Sequence, residues 1–210
     1  LPSTPSDPSV AAVEGLKALL KTTNSEARDV SELLHGSTIA ANALIQRRGA
    51  STVLLTTRGF RDVLFIQRQD KSTVYDMFYN KPEPLLTRDR IYEVEERLGA
   101  DGNVVESLNE AVASKLIDRV VHEHMPEAIA ICLLHAYANP VHEQQLAAII
   151  ASQYPDIRVS LSSEIAPEHR EYERTSTAVI DAYIGPAVDR YLTRFGERTT
   201  DIGIEIGRAS

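Results

Sequence analysis

Three stretches of the chain hold residues that could bind or activate a small molecule. The first is His35-Gly36-Ser37-Thr38, at the predicted start of a helix. Glycine permits a tight turn, hydroxyls cap free amides, and the N–H groups of a helix start attract an anion. Asn42 follows Thr38 by one helical turn on the same face. The plainer alternative makes Ser37 or Thr38 a helix cap and Asn42 a surface residue. The second stretch is Thr56-Thr-Arg58-Gly-Phe-Arg61-Asp62, which follows a predicted buried strand. Loops at the carboxyl ends of parallel strands are where α/β proteins bind ligands, and two arginines suit a phosphate or carboxylate. Its alternative is a solvated loop in which Arg61 pairs with a neighbouring acid. The third runs from Ser162 to Thr177 and holds Glu164, Glu168, Glu171 and Glu173 with Arg170 and Arg174. These could bind a metal or a substrate. Glu171 with Arg174 and Arg170 with Glu173 also have the spacing of ordinary helix-surface ion pairs.

The remaining reactive types point elsewhere. His122 and His124 are two apart at a helix end, which does not put two ligands on one face, so they are expected to interact with the helix C-terminus. His135 and His142 flank Ala-Tyr-Ala-Asn-Pro and read as loop hydrogen-bonders. Cys132, the only cysteine, sits inside an apolar run and reads as packing. Neither a G-x-x-x-x-G-K-[ST] loop, a G-x-S-x-G elbow nor an H-E-x-x-H helix occurs, and no metal site is expected.

Alternating strands and helices must position these residues. Asp7-Pro8 reads as an N-cap and first helical residue, and Val10, Val13, Leu16, Leu19 and Leu20 continue a helix to about Lys21. Asp29 to Leu34 fits a strand or a helix entry. Thr38 to Arg48 is a predicted helix that stops on basic residues and Gly49. Ser51–Thr56, Ala128–Leu134 and Arg158–Ser162 are apolar or β-branched and predict strands, the middle one buried on both faces. Phe60 to Ile66 predicts a short helix, and Asp70 to Arg88 a long surface loop. Ile91 to Arg97 alternates apolar and charged, and Gly99-Ala-Asp-Gly102 turns it back into Val104-Val105, so Ile91–Val105 predicts a hairpin at a sheet edge. Asn109 caps a helix to about His124, with Val112, Leu116, Val120 and Val121 inward. Pro140 opens a helix to about Gln153, and two more run from Arg170 to Tyr183 and from Pro186 to Arg198. This pattern predicts an α/β fold with a mixed, partly parallel sheet flanked by helices.

Bulk properties bound the function. The 210 residues are 43% hydrophobic and 25% charged, enough for a packed core. A net charge of −8 argues against a nucleic-acid binder, whose partner's phosphates call for clustered Lys and Arg. No run of about 18 apolar residues exists to span a membrane, and a cytoplasmic protein is expected. The chain has no initiator Met and ends in Gly203-Ile-Glu-Ile-Gly-Arg-Ala-Ser210, which reads as truncation.

Taken together, the wording of several segments resembles one family. His35-Gly-Ser-Thr-Ile-Ala-Ala-Asn-Ala-Leu-Ile-Gln-Arg-Arg-Gly-Ala50 is similar to the N-terminal signature of the hydantoinase/5-oxoprolinase family. So are Leu54-Leu-Thr-Thr-Arg-Gly-Phe-Arg-Asp-Val-Leu64, Arg68-Gln69, and Tyr75-Asp76 ahead of Lys81-Pro82. Cys132-Leu-Leu-His-Ala-Tyr-Ala-Asn-Pro140, His142-Glu143, Ser162-Ser-Glu164 and Arg170-Glu-Tyr-Glu-Arg-Thr-Ser-Thr177 follow in the family's order. The likeness covers about Thr4 to Arg198. It departs at Ser37 and Ala41, where Thr is common, and at Asp181, where Asn is common.

The resemblance implies an N-terminal region over residues 1–200, with 201–210 a tail unlike the family. It implies part of an actin-like ATPase-type fold, and a parent protein that opens a cyclic amide, a hydantoin or 5-oxoproline, by ATP-driven phosphorylation of the carbonyl oxygen. ATP and Mg belong to that parent. The family's phosphate-binding hairpins lie upstream and downstream of these residues, so no cofactor is expected for this chain alone. His35, Ser37, Thr38 and Asn42 would line the cleft, with Arg58 and Arg61 near a phosphate or carboxylate and Glu171 and Arg174 as further candidates. Partners would be the small-molecule amide, a second hydantoinase-type subunit, or further copies of the chain. Two alternatives stand beside this: a subunit of an ATP-dependent ketone carboxylase, and a non-catalytic interaction module.

Overall fold

Side chains from Leu44 to Pro186 build one of two compact units, and the second comprises Leu1–Ala43 with Ala187–Ser210. The computed structural model describes residues 7–68, 75 and 77–204. Gln69 and Asp76 of the family-like segments lie outside them, as do most of the first eight residues and of the tail.

In the larger unit, four strands form a wholly parallel sheet in the order β2-β1-β5-β6. These are β1 (Thr52–Thr57), β2 (Ile91–Val94), β5 (Ala128–Cys132) and β6 (Arg158–Leu161). Register is set by pairs such as Leu54 with Ile91, Leu54 with Ala130, and Ile129 with Val159. Side-chain alternation splits the core between two faces. Val53, Leu55, Ile129 and Ile131 pack with Ile117 and Val120 of α4 (Glu110–His124) and with Leu146 and Ile150 of α5 (Val141–Gln153). Leu54, Ala128, Ala130 and Cys132 meet Ala178, Val179 and Ala182 of α7 (Glu171–Asp201), with Leu64 of the short α3 (Val63–Ile66). The sheet is therefore covered by helices on both sides, as continuous apolar strands require. A second short helix, α6 (Ser162–Ile165), follows β6 directly.

Several expectations need correction. The predicted edge hairpin is two things: β2 joins the main sheet in parallel, while β3 (Arg97–Leu98) and β4 (Val104–Glu106) form a separate antiparallel pair. The turn at Gly99–Gly102 was legible because Gly102 takes φ 79°, but the strand feeding it begins only after Glu96. Val112 is half exposed, but Val120 is buried as expected, Leu116 and Val121 pack partly buried against the core, and Ala113 and Ile117 complete the inward stripe of α4. The two helices expected on either side of Pro186 are one of 31 residues. Proline removes one backbone donor, but the preceding residue is Gly185, which has no Cβ to meet the proline ring.

The smaller unit is built on α1 (Pro8–Thr23) and the C-terminal part of α7. Asp7 caps α1 by accepting from the Ser9 amide at 3.2 Å. Arg198 reaches the same carboxylate at 3.0 Å, and Val13, Tyr191 and Phe195 form the buried core. Asp29–Leu34 is neither strand nor helix entry. Ala27–Asp29 is a 3-10 turn in which Asp29 accepts from the Glu26 amide at 2.8 Å, and Leu34 lies exposed beyond it.

Helix α2 (Ile39–Ile45) stops earlier than the expected Arg48. Arg47 takes a left-handed φ of 50°, and its guanidinium is drawn to the carbonyls of Glu83 and Pro84 at 2.7 and 2.9 Å. Gly49 serves close packing rather than a helix cap, since a Cβ there would lie 2.2 Å from the Tyr183 ring. Among the described residues no helix is long and apolar enough to cross a membrane.

Candidate substrate or anion site

From β1 the sheet grows to β2 on one side and to β5 on the other, which makes the gap between β1 and β5 the topological switch point. Connections leave such a point in opposite directions, so the strand ends there form a natural crevice. Thr56 and Cys132 from the strands, Leu134 beyond β5, and Glu171, Arg174 and Thr175 of α7 line it. The cavity is about 10 Å³, the room of about one water-sized group. It fits a single oxygen atom, not a nucleotide.

Behind the crevice lies a buried polar network. Thr57 donates its hydroxyl to Glu96 and accepts the Leu134 amide at 2.8 Å. The other Glu96 oxygen lies 2.7 Å from Nδ1 of His142. Glu143 accepts the Leu133 amide at 2.9 Å, the Ser162 hydroxyl at 2.6 Å and the Ser163 amide at 2.9 Å. Ser162 in turn accepts Nη1 of Arg174 at 3.0 Å. Glu96, His142, Glu143 and Arg174 are all buried. Two side chains thus fix consecutive amides where the chain leaves β5. Both amides are thereby held in one geometry.

Sequence reasoning assigned no role to Glu96 or Glu143 and read His142 only as a loop hydrogen-bonder, whereas it lies in α5 and bonds Glu96. Glu96 lay in the alternating stretch from Ile91 to Arg97, and Glu143 entered only as family-like wording. The one local signal was Glu95-Glu96, where the apolar–charged alternation breaks.

Arg174 is 1% exposed, its guanidinium lies 5.6 Å from the Tyr137 ring centre, and Nε has no hydrogen-bond partner. It does not pair with Glu171. Glu173 meets Arg68 instead, and that hydrogen bond holds the Glu173 carboxyl below its usual range. Cys132 lies 3.2 Å from the Thr175 hydroxyl, and burial pushes its thiol pKa up, so the neutral packing form is favoured.

Arg58 and Arg61 follow β1 as expected, but their heads are exposed and engaged elsewhere. Arg58 pairs with Glu95 at 2.9 Å and Glu106 at 3.7 Å. Arg61 donates to the Arg88 carbonyl at 2.6 Å rather than to an acid, while Asp62 takes Arg88 at 3.0 Å. Gly59 between them has φ 90° and gives its amide to Glu93 at 2.8 Å.

His35, Ser37, Thr38 and Asn42 belong to the other unit and are exposed there. His35 stacks on Phe195 with ring centres 4.5 Å apart and hydrogen-bonds the Tyr191 hydroxyl. Burial raises the Tyr191 phenol pKa, opposed by a hydrogen bond from the Ser37 side. Ser37 accepts the Ile39 amide at 3.3 Å, and Asn42 donates to the Thr38 hydroxyl at 3.3 Å. The turn therefore caps α2 and keeps a polar face.

His122 and His124 bond the Asp118 carbonyl and the Tyr92 hydroxyl, each at 2.7 Å. Among the described residues no three His, Cys, Asp or Glu side chains are grouped to hold a metal.

Known proteins match this chain over most of its length. It is 33% identical to the caprolactamase subunit alpha of Pseudomonas jessenii, with 97% of this chain and 30% of that protein covered. It is 35% identical to the acetophenone carboxylase gamma subunit of Aromatoleum aromaticum, covering 87% and 27%. Against 5-oxoprolinase 1 of Arabidopsis thaliana it is 30% identical, covering 94% and 18%. The chain spans less than a third of the length of these relatives. The crystal structure of the ATP-dependent caprolactamase from Pseudomonas jessenii superposes with a TM-score of 0.86 at 32% identity, over 98% of this chain and 30% of that one. The profile of the hydantoinase/oxoprolinase N-terminal region matches residues 1–154, and with these likenesses the chain belongs to the hydantoinase/oxoprolinase family.

Proposed function

We propose that this chain serves as the N-terminal region of an ATP-dependent hydrolase that opens a cyclic amide, a hydantoin, 5-oxoproline or a related lactam. The observation that carries the proposal is the likeness, over 97% of this chain, to a caprolactamase subunit, supported by that to a 5-oxoprolinase. An unstrained lactam is resonance-stabilised and reacts slowly with water. ATP with Mg would supply a phosphoryl group to the carbonyl oxygen; water then adds at the carbonyl carbon, the C–N bond breaks, and phosphate leaves. The cavity at the strand ends, about 10 Å³, is far too small for a nucleotide, so we assign the nucleotide itself to other parts of the longer protein.

Within the chain, the assigned roles are binding and positioning. Arg174 and Glu171 line the switch-point crevice, and the Arg58–Arg61 loop borders its β1 side. His35, Ser37, Thr38 and Asn42 form a separate polar turn suited to an imide or carboxylate oxygen. A second hydantoinase-type subunit, or further copies of the chain, would complete the assembly. The cytoplasm is the proposed compartment.

Similarity to the acetophenone carboxylase subunit is as high as to the caprolactamase subunit, which favours ketone phosphorylation as the second reading. Purified protein containing this chain and its subunit partner separates the two. It should release ring-opened product from 5-oxoproline, hydantoin or caprolactam only with ATP. Bicarbonate-dependent carboxylation of acetone or acetophenone, with no ring opening, would select the carboxylase.

A further inference from the structure

At one edge of the larger unit, β2 and α4 leave a groove between them. It is about 310 Å³ in volume and lies between the end of β2 and the first half of α4. Val94, Leu108 and Ala113 line it and are buried, while Val112, which also lines it, is 48% exposed. β2 is the outermost strand of the parallel sheet on this side, and β4 is paired only with β3. On β4, Val104 is 48% and Val105 70% exposed. Glu106 ends β4 and Leu108 follows it by two residues, so at most about 7 Å of chain separates that strand from the groove. Exposed apolar side chains on an edge strand are a template for association.

Charge divides the groove into two walls. The strand wall carries Glu93 and Glu95. Glu93 accepts the Gly59 amide at 2.8 Å, and Glu95 shares Arg58 with Glu106, at 2.9 and 3.7 Å. Three carboxylates therefore gather around one arginine. Arg97 is turned to the Phe60 ring and the Arg58 carbonyl instead. The helix wall carries Lys115 and Arg119, both exposed, and neither forms an ion pair among the described residues. Arg119 lies over the Tyr92 ring at 5.6 Å. An acidic wall opposite a basic one is self-complementary under two-fold symmetry. An axis through the groove sets the strand wall of one copy against the helix wall of the other, twice. A partner of a single charge sign would match only one wall.

We propose that this groove is the surface through which two copies of the chain pair about a two-fold axis. Glu95 and Glu106 of each copy face Lys115 and Arg119 of the other, and Val104, Val105 and Val112 are covered between them. This deepens the proposed assembly from further copies of the chain by naming its surface, and it uses no step of the ring opening, so either can fail alone.

Sedimentation equilibrium tests the pairing. Across about 5 to 500 μM, the 210-residue chain should form a dimer whose dissociation constant falls inside that range. Raising the salt from about 0.05 to about 0.5 M should weaken the dimer several-fold, because the facing charges are screened. Two variants then make the walls alike. Lys115→Glu with Arg119→Glu makes both acidic, and Glu95→Lys with Glu106→Lys makes both predominantly basic. The substituted side chains are exposed, so both variants should melt within a few degrees of wild type. Each variant alone should dimerise at least about tenfold more weakly than wild type. An equal mixture of the two should pair more tightly than either alone, since an acidic chain then meets a basic one at both contacts. A wild type that stays monomeric across the range would overturn the proposal and leave the groove to another segment of the longer protein. Unaltered dimerisation of either variant, or a mixture no tighter than its components, would overturn it as well.

Discussion

Buried charge governs the strand ends at the scale of single residues. Glu143 is fully enclosed yet accepts three hydrogen bonds, so its removal leaves the Leu133 and Ser163 amides without acceptors. Glu143→Ala should cost about 3 kcal/mol or more, read from urea unfolding, and Glu143→Gln distinctly less because one acceptor oxygen remains. Equal stability of wild type and Glu143→Ala would show that the network contributes little.

Cys132 offers a second check. Its burial and its raised thiol pKa predict no alkylation by iodoacetamide in the folded chain at pH 8, and full alkylation once urea unfolds it. Mass spectrometry distinguishes the two states, and rapid labelling of the native chain would contradict the packing described. Thr38 tests function rather than fold. It gives up one exposed bond to Asn42, so in the longer protein Thr38→Val should melt within a few degrees of wild type while turnover falls. Unchanged turnover would leave the turn as a helix cap only.

Helices and strands were legible where the signal is local. The apolar runs at Thr52–Thr57 and Ala128–Cys132 became central strands, and Asn109 caps α4 by accepting the Ala111 and Val112 amides at 3.1 and 3.2 Å. Asn109→Ala should therefore cost about 1 kcal/mol, measured as a lower urea midpoint with unchanged slope. Local signals misled where tertiary packing decides. Pro186 reads as a break, yet Gly185 lets α7 continue, and Gly185 is held small because a Cβ would sit 2.2 Å from Nε of Arg158. Gly49→Ala should be destabilising for the same reason, by about 1–3 kcal/mol, since Tyr183 blocks the added methyl. A Gly49→Ala chain as stable as wild type would contradict that packing. The loop after β1 and the Ser37–Asn42 turn were visible from residue types and spacing. The Glu96–His142 bond and the Glu143–Ser162 bond were not, because they join residues 46 and 19 apart that share no periodicity.

For the whole molecule, the chain carries a net charge of −8, its larger unit is an α/β sheet covered on both faces, and its family is shown by a match from residue 1 to 154. The relatives are much longer than the chain, which covers 30% of one and 18% of another. The proposed function divides the labour along the polypeptide: these residues would bind and position the substrate, and the nucleotide would be held by the remainder. Under that division, the 210-residue chain by itself should neither bind ATP stoichiometrically nor hydrolyse it. The measurement that bears most directly on the central claim is ring opening by the longer protein with its subunit partner. Product and ADP are followed together across a panel of cyclic amides. The account predicts ring-opened product that requires ATP and forms in step with ADP; ring opening at an unchanged rate without ATP, or ATP turnover with no cyclic amide opened, would contradict it.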